Sequence, residues 1–138
     1  MQTTSPGLSQ KIKKFNLIIE HIHCWRMILF NGKPIYILEK QSEMSESFPS
    51  DHYFPAYSLG EILEVLPEAI KIPCPNISNA YHEYRLQLCK NNSNYLFAYH
   101  WEDGSLRDFY NSAVYYKNPA EAAGQLLVWC VENGYVEL

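Results

Sequence analysis

The last part of the chain, from Asn118 to Gly134, reads as a helix with a start signal and a stop signal. Asn118 suits the N-cap, Pro119 the first helical position, and Glu121 the positive end of the helix dipole. Gly134 ends the helix. At about 100° per residue the apolar residues share one arc, which is small at its start and bulky at its end. They are Ala120, Ala123, Gly124, Leu126, Leu127, Cys130 and Val131. We expect this helix to lie on a sheet and to approach a partner closely at its small end.

Length and composition bound the class of protein. With 138 residues, 47% of them hydrophobic, the chain has the size of one ordinary domain, and we expect a single domain over 1–138. A formal net charge of −4 gives no general attraction to nucleic acid, so no nucleic-acid partner is expected. The sequence has no run of about 18 apolar residues and no secretory signal pattern, so we expect no membrane association and a cytoplasmic location. The four scattered cysteines suit reduced thiols.

The N-terminal region divides into a leader and a helix. Met1 to Leu8 is polar and is expected to be a loose leader. From Ser9 to about His23, apolar residues recur every three or four positions, which predicts an amphipathic helix with Ser9 as N-cap. The β-branched residues between Leu17 and Ile22 support a strand as the alternative.

Asn31-Gly32 between two apolar runs predicts a β-hairpin, because both turn residues tolerate positive φ. Pro34 begins the returning strand and cannot donate a ladder bond, so that strand is expected at a sheet edge. The following stretch, 41–57, has no period and is expected to be a long loop. Its aromatic residues either pack on the domain, which we favour, or face a partner. They are Phe48, Tyr53, Phe54 and Tyr57.

Ser58 and Glu61 form a predicted capping box, and Tyr57 with Ile62 a hydrophobic staple, at the start of a short helix that Pro67 ends. An extended connector follows at 72–76. Alternating residues from 80 to 89 predict a strand, and a turn at 90–94 leads to a second strand at 95–101. A third strand begins near residue 106. The fold class is therefore α+β: an antiparallel sheet, made of the N-terminal hairpin and this C-terminal meander, with two or three helices on one face.

Two stretches, 55–67 and 118–122 followed by 129–135, resemble small uncharacterised proteins encoded in gut-bacterial and phage genomes. The shared pattern consists of helix caps and apolar positions in the second and last helices, and the N-terminal quarter is unmatched. The resemblance implies a mobile-element context. It carries over no activity and no catalytic residues.

Residues that could support chemistry have simpler explanations. His21, His23 and Cys24 could contribute to a metal site only if the segment is a strand and further ligands come from elsewhere, such as His52, His82 or His100. The acidic pairs Glu102/Asp103 and Glu61/Glu64 fit a turn and a helix cap. No nucleophile, phosphate-loop or metalloprotease motif is present. We therefore assign no catalytic residues, no metal and no cofactor.

Eleven tyrosines and three tryptophans exceed the evident needs of one small core, and such residues often anchor interfaces. We expect a protein-binding, adaptor or inhibitor-like module whose partner is another protein or a second copy. The row at 95–101 is core or recognition surface, with core favoured. An enzyme site around His82 and His100 is one alternative, and a self-associating structural component that buries Trp129 is another. The interface candidates are Tyr95, Phe97, Tyr99, Trp101, Trp129, Tyr53 and Phe54.

Overall fold

The computed structural model describes residues 2–43, 52–74, 79–101, 109–111 and 115–137. It confirms the α+β class. In chain order the elements are α1 (Pro6–Lys13), β1 (His23–Phe30), β2 (Lys33–Lys40), a 3₁₀ turn (Gln41–Glu43), β3 (Tyr53–Ala56), α2 (Leu59–Val65), β4 (Ala69–Pro73), β5 (Tyr81–Asn91), β6 (Asn94–Trp101), β7 (Phe109–Asn111) and α3 (Pro119–Glu132).

The strands form two antiparallel sheets, ordered β2-β1-β3 and β4-β5-β6-β7. The hairpin and the meander therefore lie in separate sheets, where the sequence predicted one. The physical reason is that the edges at which the hairpin and the meander could have joined are occupied by other strands. Tyr53–Ala56, inside the expected loop, pairs with the second edge of β1, and Ala69–Pro73, which overlaps the expected connector at 72–73, pairs with the outer edge of β5.

The C-terminal helix forms where the sequence predicts it. The Asn118 side chain accepts a hydrogen bond from the Ala120 N–H at 2.9 Å, and Pro119 occupies the first helical position. At the other end Gly134 has φ +79°, and the Tyr135 N–H reaches the Cys130 carbonyl at 2.8 Å. The buried face of α3 packs against α1, α2 and β6, and this contact forms the centre of the core.

The small end of α3 allows the predicted close approach. A methyl group placed on Gly124 would lie 2.7 Å from Leu8 Cδ2 and 2.9 Å from Thr4 Cγ2, both shorter than carbon atoms tolerate. The partner is α1 together with the residues before it. Gly124 therefore lies in close contact with α1 and with Thr4 before it.

We predict that Gly124→Ala destabilises the fold by about 1–3 kcal/mol, because overpacking outweighs the better helix propensity of alanine. Gly60→Ala is the matched control, since that helical glycine has nothing within 4 Å of an added methyl group. It should be neutral or stabilising by up to about 1 kcal/mol. Urea unfolding of both variants measures the difference, and equal stabilities would contradict the packing argument.

The expected loose leader is wrong for the residues that precede α1. Thr3 and Thr4 are buried, and Ser5 caps α1 by accepting a hydrogen bond from the Leu8 N–H. Thr4 is joined to Tyr57 in both directions: the Thr4 N–H donates to the Tyr57 carbonyl at 2.8 Å, and the Tyr57 N–H donates to Thr4 Oγ1 at 3.2 Å. The Trp25 indole N–H donates to the Thr4 carbonyl at 3.0 Å.

Ser5 and Asn118 connect this N-terminal stretch to α3. Ser5 N–H and Oγ both donate to Glu121 Oε1, at 3.1 and 2.9 Å, and the Asn118 amide donates to the Thr3 carbonyl at 2.7 Å. The starts of α1 and α3 are thus joined. Sequence reasoning missed this because Thr3 and Ser5 are polar, and their partners Asn118 and Glu121 lie more than a hundred residues away.

The predicted helix over 9–23 is also wrong in its bounds. The helix begins at Pro6 and ends at Lys13, and its N-cap is Ser5, not Ser9. Asn16 then adopts φ +57°, which a helix cannot contain, and the segment 17–22 is extended. The β-branched residues between Leu17 and Ile22 follow the strand-like alternative in conformation.

The predicted hairpin and capping box are confirmed. Asn31 and Gly32 have φ of +51° and +74°, and β2 lies at a sheet edge as Pro34 predicted. In α2 the Glu61 N–H donates to Ser58 Oγ while Glu61 Oε2 accepts from the Ser58 N–H at 2.7 Å. The helix ends at Val65, before Pro67.

The importance of the Thr4 hydroxyl can be measured. Thr4→Val keeps the volume but leaves the buried Tyr57 N–H without its side-chain acceptor, which costs about 1–3 kcal/mol of unfolding free energy. Thr4→Ser keeps the hydroxyl and should lose less. Equilibrium denaturation measures the free energy of unfolding of both variants. A valine variant at least as stable as the serine variant would contradict a stabilising role of the Thr4 hydroxyl.

Candidate functional site

The aromatic row of β6 is part of the core as far as it is described. Phe97 and Tyr99 are buried and belong to the same cluster as Leu126 and Cys130 of α3. The Tyr99 hydroxyl donates to the Pro67 carbonyl at 2.6 Å, so its polar end is satisfied inside the protein. The helix α3 therefore covers the aromatic face, and Phe97 and Tyr99 are not interface residues of the isolated chain.

Two further interface candidates are corrected in the same way. Tyr53 and Phe54 lie in β3 and are buried, because that segment is a sheet strand and not a loop. Tyr57 is buried as well, so the favoured packing of the loop aromatics holds for these three residues. Phe48 and the side chain of Trp101 lie outside the described residues.

The two remaining candidates are half-buried. The Tyr95 backbone forms a bridge with Tyr116, and Lys90 Nζ lies 5.7 Å from the Tyr95 ring centroid. Trp129 stacks on Tyr135 of its own chain, with ring centroids 5.4 Å apart and planes 21° apart. One face of the Trp129 ring is thus already covered within the chain.

The proposed convergence of His82 and His100 does not occur. In the β5–β6 register Tyr84 lies opposite Trp101, whereas His100 lies opposite Arg85. His82 shares the face of Tyr84, two residues away, so the two histidines project from opposite faces of the sheet. They cannot act on one substrate in this fold.

The other suggested constellations do not form a reactive centre either. His21 Nδ1 lies 3.4 Å from the Ile19 carbonyl, and its ring packs edge-on against Tyr57. Within the described residues, no group of three His, Cys, Asp or Glu side chains could hold a metal ion. Glu102 and Asp103 lie outside these residues.

The surface feature that sequence reasoning missed is the extended segment 17–22. Its side chains alternate: Ile19 is buried, whereas Ile18 is 95% exposed and Ile22 is 62% exposed. The backbone at Asn16 explains this pattern, because its φ of +57° ends the helical path and period-two alternation follows. The alternating isoleucines were the available signal, but helical spacing placed Ile22 inside.

The exposed isoleucines line hollows beside α2. A hollow of about 650 Å³ lies between the extended segment and the start of α2, and a second of about 470 Å³ lies towards Gln41. We call this surface the Ile18 groove, formed by Ile18, Glu20, Ile22, Glu61, Glu64 and Val65.

Glu61 fixes the geometry of the groove. Its Oε2 accepts from the Ser58 N–H in the capping box, and its Oε1 accepts from the Ile22 N–H at 3.0 Å. One carboxylate therefore joins the start of α2 to the extended segment. Glu20 and Glu64 are exposed at the rim, so the apolar groove has an acidic border.

The backbone of the groove has unused hydrogen-bonding groups. Ile22 is occupied, because its carbonyl accepts from the Gln41 N–H at 2.7 Å and its N–H binds Glu61. Among the described residues, the peptide groups of Leu17, Ile18 and Glu20 make no hydrogen bond to another backbone group. An extended segment with free peptide groups can pair with another extended chain.

The buried Cys130 thiol and Tyr57 hydroxyl have raised pKa values. Burial raises the pKa of the Cys130 thiol to about 11, although its hydrogen bond with Tyr99 lowers it in part. Burial, with smaller effects of Cys24 and Glu61, raises the pKa of the Tyr57 hydroxyl to about 12. Both groups are therefore neutral near pH 7, and neither supplies a nucleophile.

These shifts predict that stability falls in alkali. The unfolded thiol loses its proton near pH 9.0 while the folded Cys130 keeps it until about 11, so the free energy of unfolding decreases as pH rises through this window. The slope from one such group is at most about 1.4 kcal/mol per pH unit. Cys130→Ala should lower the slope measured by urea unfolding. The slope should not vanish, because burial also raises the pKa of the Cys24 and Cys89 thiols. A slope that Cys130→Ala leaves unchanged would contradict the assignment to Cys130.

No protein-family model, curated protein or solved structure gives a significant match to the chain. In the described part of the chain, no helix is both long and apolar enough to cross a membrane. The resemblance to small gut-bacterial and phage proteins therefore stays a prediction.

Proposed function

We propose that the chain is a protein-binding module, adaptor or inhibitor-like, that takes up an extended segment of another protein in the Ile18 groove. The observation that carries the proposal is the 95% exposure of Ile18 on an extended segment in which, among the described residues, the peptide groups of Leu17, Ile18 and Glu20 make no hydrogen bond to another backbone group. A cytoplasmic, mobile-element setting remains part of the proposal. The recognition surface is thus different from the aromatic row that the sequence suggested.

The apolar side chains provide the driving force for binding. Burying a fully exposed isoleucine contributes about 1.5–3 kcal/mol, and Ile18 is close to that limit. Ile22 adds a second, partly exposed side chain four positions along the same face. Together they match two apolar residues of an extended partner segment that lie four positions apart.

The charge of the rim determines which partners fit. Glu20 and Glu64 are exposed carboxylates next to the apolar floor, and Glu61 already accepts two hydrogen bonds. A segment with Lys or Arg beside its apolar residues gains attraction from this rim, whereas an acidic segment is repelled. The partner is therefore an extended peptide segment that is apolar and basic.

A displayed library of random linear peptides tests the proposal with the intact protein as bait. Selected sequences should combine apolar residues with Lys or Arg, and a synthetic peptide of the selected type should bind more weakly at high salt. Ile18→Ser combined with Ile22→Ser should weaken its Kd at least about tenfold, because two apolar contacts are lost.

Leu29→Ser is the matched control, since Leu29 is 67% exposed but lies on the hairpin and away from the groove. It should leave the Kd unchanged. The proposal is overturned if no peptide is selected, if the selected peptides are acidic, or if Leu29→Ser weakens binding as much as the groove variant.

A further inference from the structure

The outer edge of β2 has no strand partner among the described residues. The Gln41 N–H donates to the Ile22 carbonyl and continues the β1–β2 ladder, so odd-numbered residues of β2 turn their peptide groups towards β1. The peptide groups of Tyr36 and Leu38 consequently point away from the sheet. Edge strands of this kind are templates for pairing with another chain.

The side chains of this edge are apolar in the middle and charged at the ends. Ile35 and Ile37 are exposed on one face, beside Phe30 of the neighbouring strand. Lys33 and Glu39 flank them on the same face, because side chains two residues apart share a face. The order along this face is therefore cation, apolar, apolar, anion.

We propose that a second copy of this chain pairs with β2, antiparallel, about a two-fold axis at Tyr36. This register places Ile35 opposite Ile37 of the partner subunit and Lys33 opposite Glu39 of the partner subunit. The Tyr36 peptides bond reciprocally, and the Leu38 N–H donates to the partner's Pro34 carbonyl. Pro34 has no N–H and so ends the ladder.

Charge selects this register from its neighbours. Arg26 Nη2 binds Glu39 Oε1 at 2.7 Å, and Lys33 has no ion pair among the described residues. A shift by two residues in one direction would put Ile35 opposite the Glu39 carboxylate, and a shift in the other would put Lys33 opposite Ile37. Only the register centred on Tyr36 pairs apolar with apolar and cation with anion, in each direction of the two-fold contact.

Sedimentation velocity over a wide range of protein concentration tests the contact, with circular dichroism to verify that each variant is folded. The parent chain should dimerise reversibly. Lys33→Glu replaces two attractions by two repulsions and should weaken the dimer about tenfold or more. Lys40→Glu makes the same change of charge on the same strand, outside the paired face, and should change the Kd by less than about twofold.

A second pair of variants tests the backbone bonds. Tyr36→Pro removes an outward N–H without removing a bond to β1 and should abolish the dimer, whereas Tyr36→Ala keeps that N–H and should retain it. Both lose the edge-on contact of Tyr36 with Phe54, so the comparison isolates the peptide group. A parent that is monomeric throughout, or equal behaviour within either pair of variants, overturns the proposal. The Ile18 groove is a separate surface, so its test is unaffected by this result.

Discussion

The hydrogen bonds of Thr4 and its neighbour Ser5 join parts of the chain that lie far apart in the sequence. The backbone and hydroxyl of Thr4 bind Tyr57, its carbonyl binds the Trp25 indole, and Ser5 binds Glu121. These contacts link the small sheet to α2 and α3. Gly124 is required at the same place, because the methyl group of Thr4 lies where a larger residue would project. The polar network and the close helix contact therefore depend on each other.

Local signals predicted several elements well because their physical cause lies within a few residues. The Asn31-Gly32 turn, the Ser58–Glu61 capping box and the Asn118 cap each form through contacts of two or three positions. The side-chain alternation of β5 is likewise visible in the sequence. What could not be predicted was the set of distant partners. β3 and β4 are short strands that exist because β1 and β5 offer them an edge.

The candidate site was harder to predict than the fold. Aromatic residues suggested an interface, but the long-range packing of α3 on β6 buries Phe97 and Tyr99. Conversely, helical spacing placed Ile22 on the buried face, and its exposure depends on the backbone turn at Asn16. Residue type alone does not distinguish these cases, because burial is decided by which face a neighbouring element covers.

The carboxylate of Glu61 has a consequence for how the molecule opens. It holds the amide protons of Ser58 and Ile22 at once, so neither amide is released without disturbing the group that protects the other. The first turn of α2 and the end of the extended segment therefore form one cooperative opening unit, although 36 residues of chain separate Ile22 from Ser58. A chain that occupied the groove would restrain both segments through this single side chain.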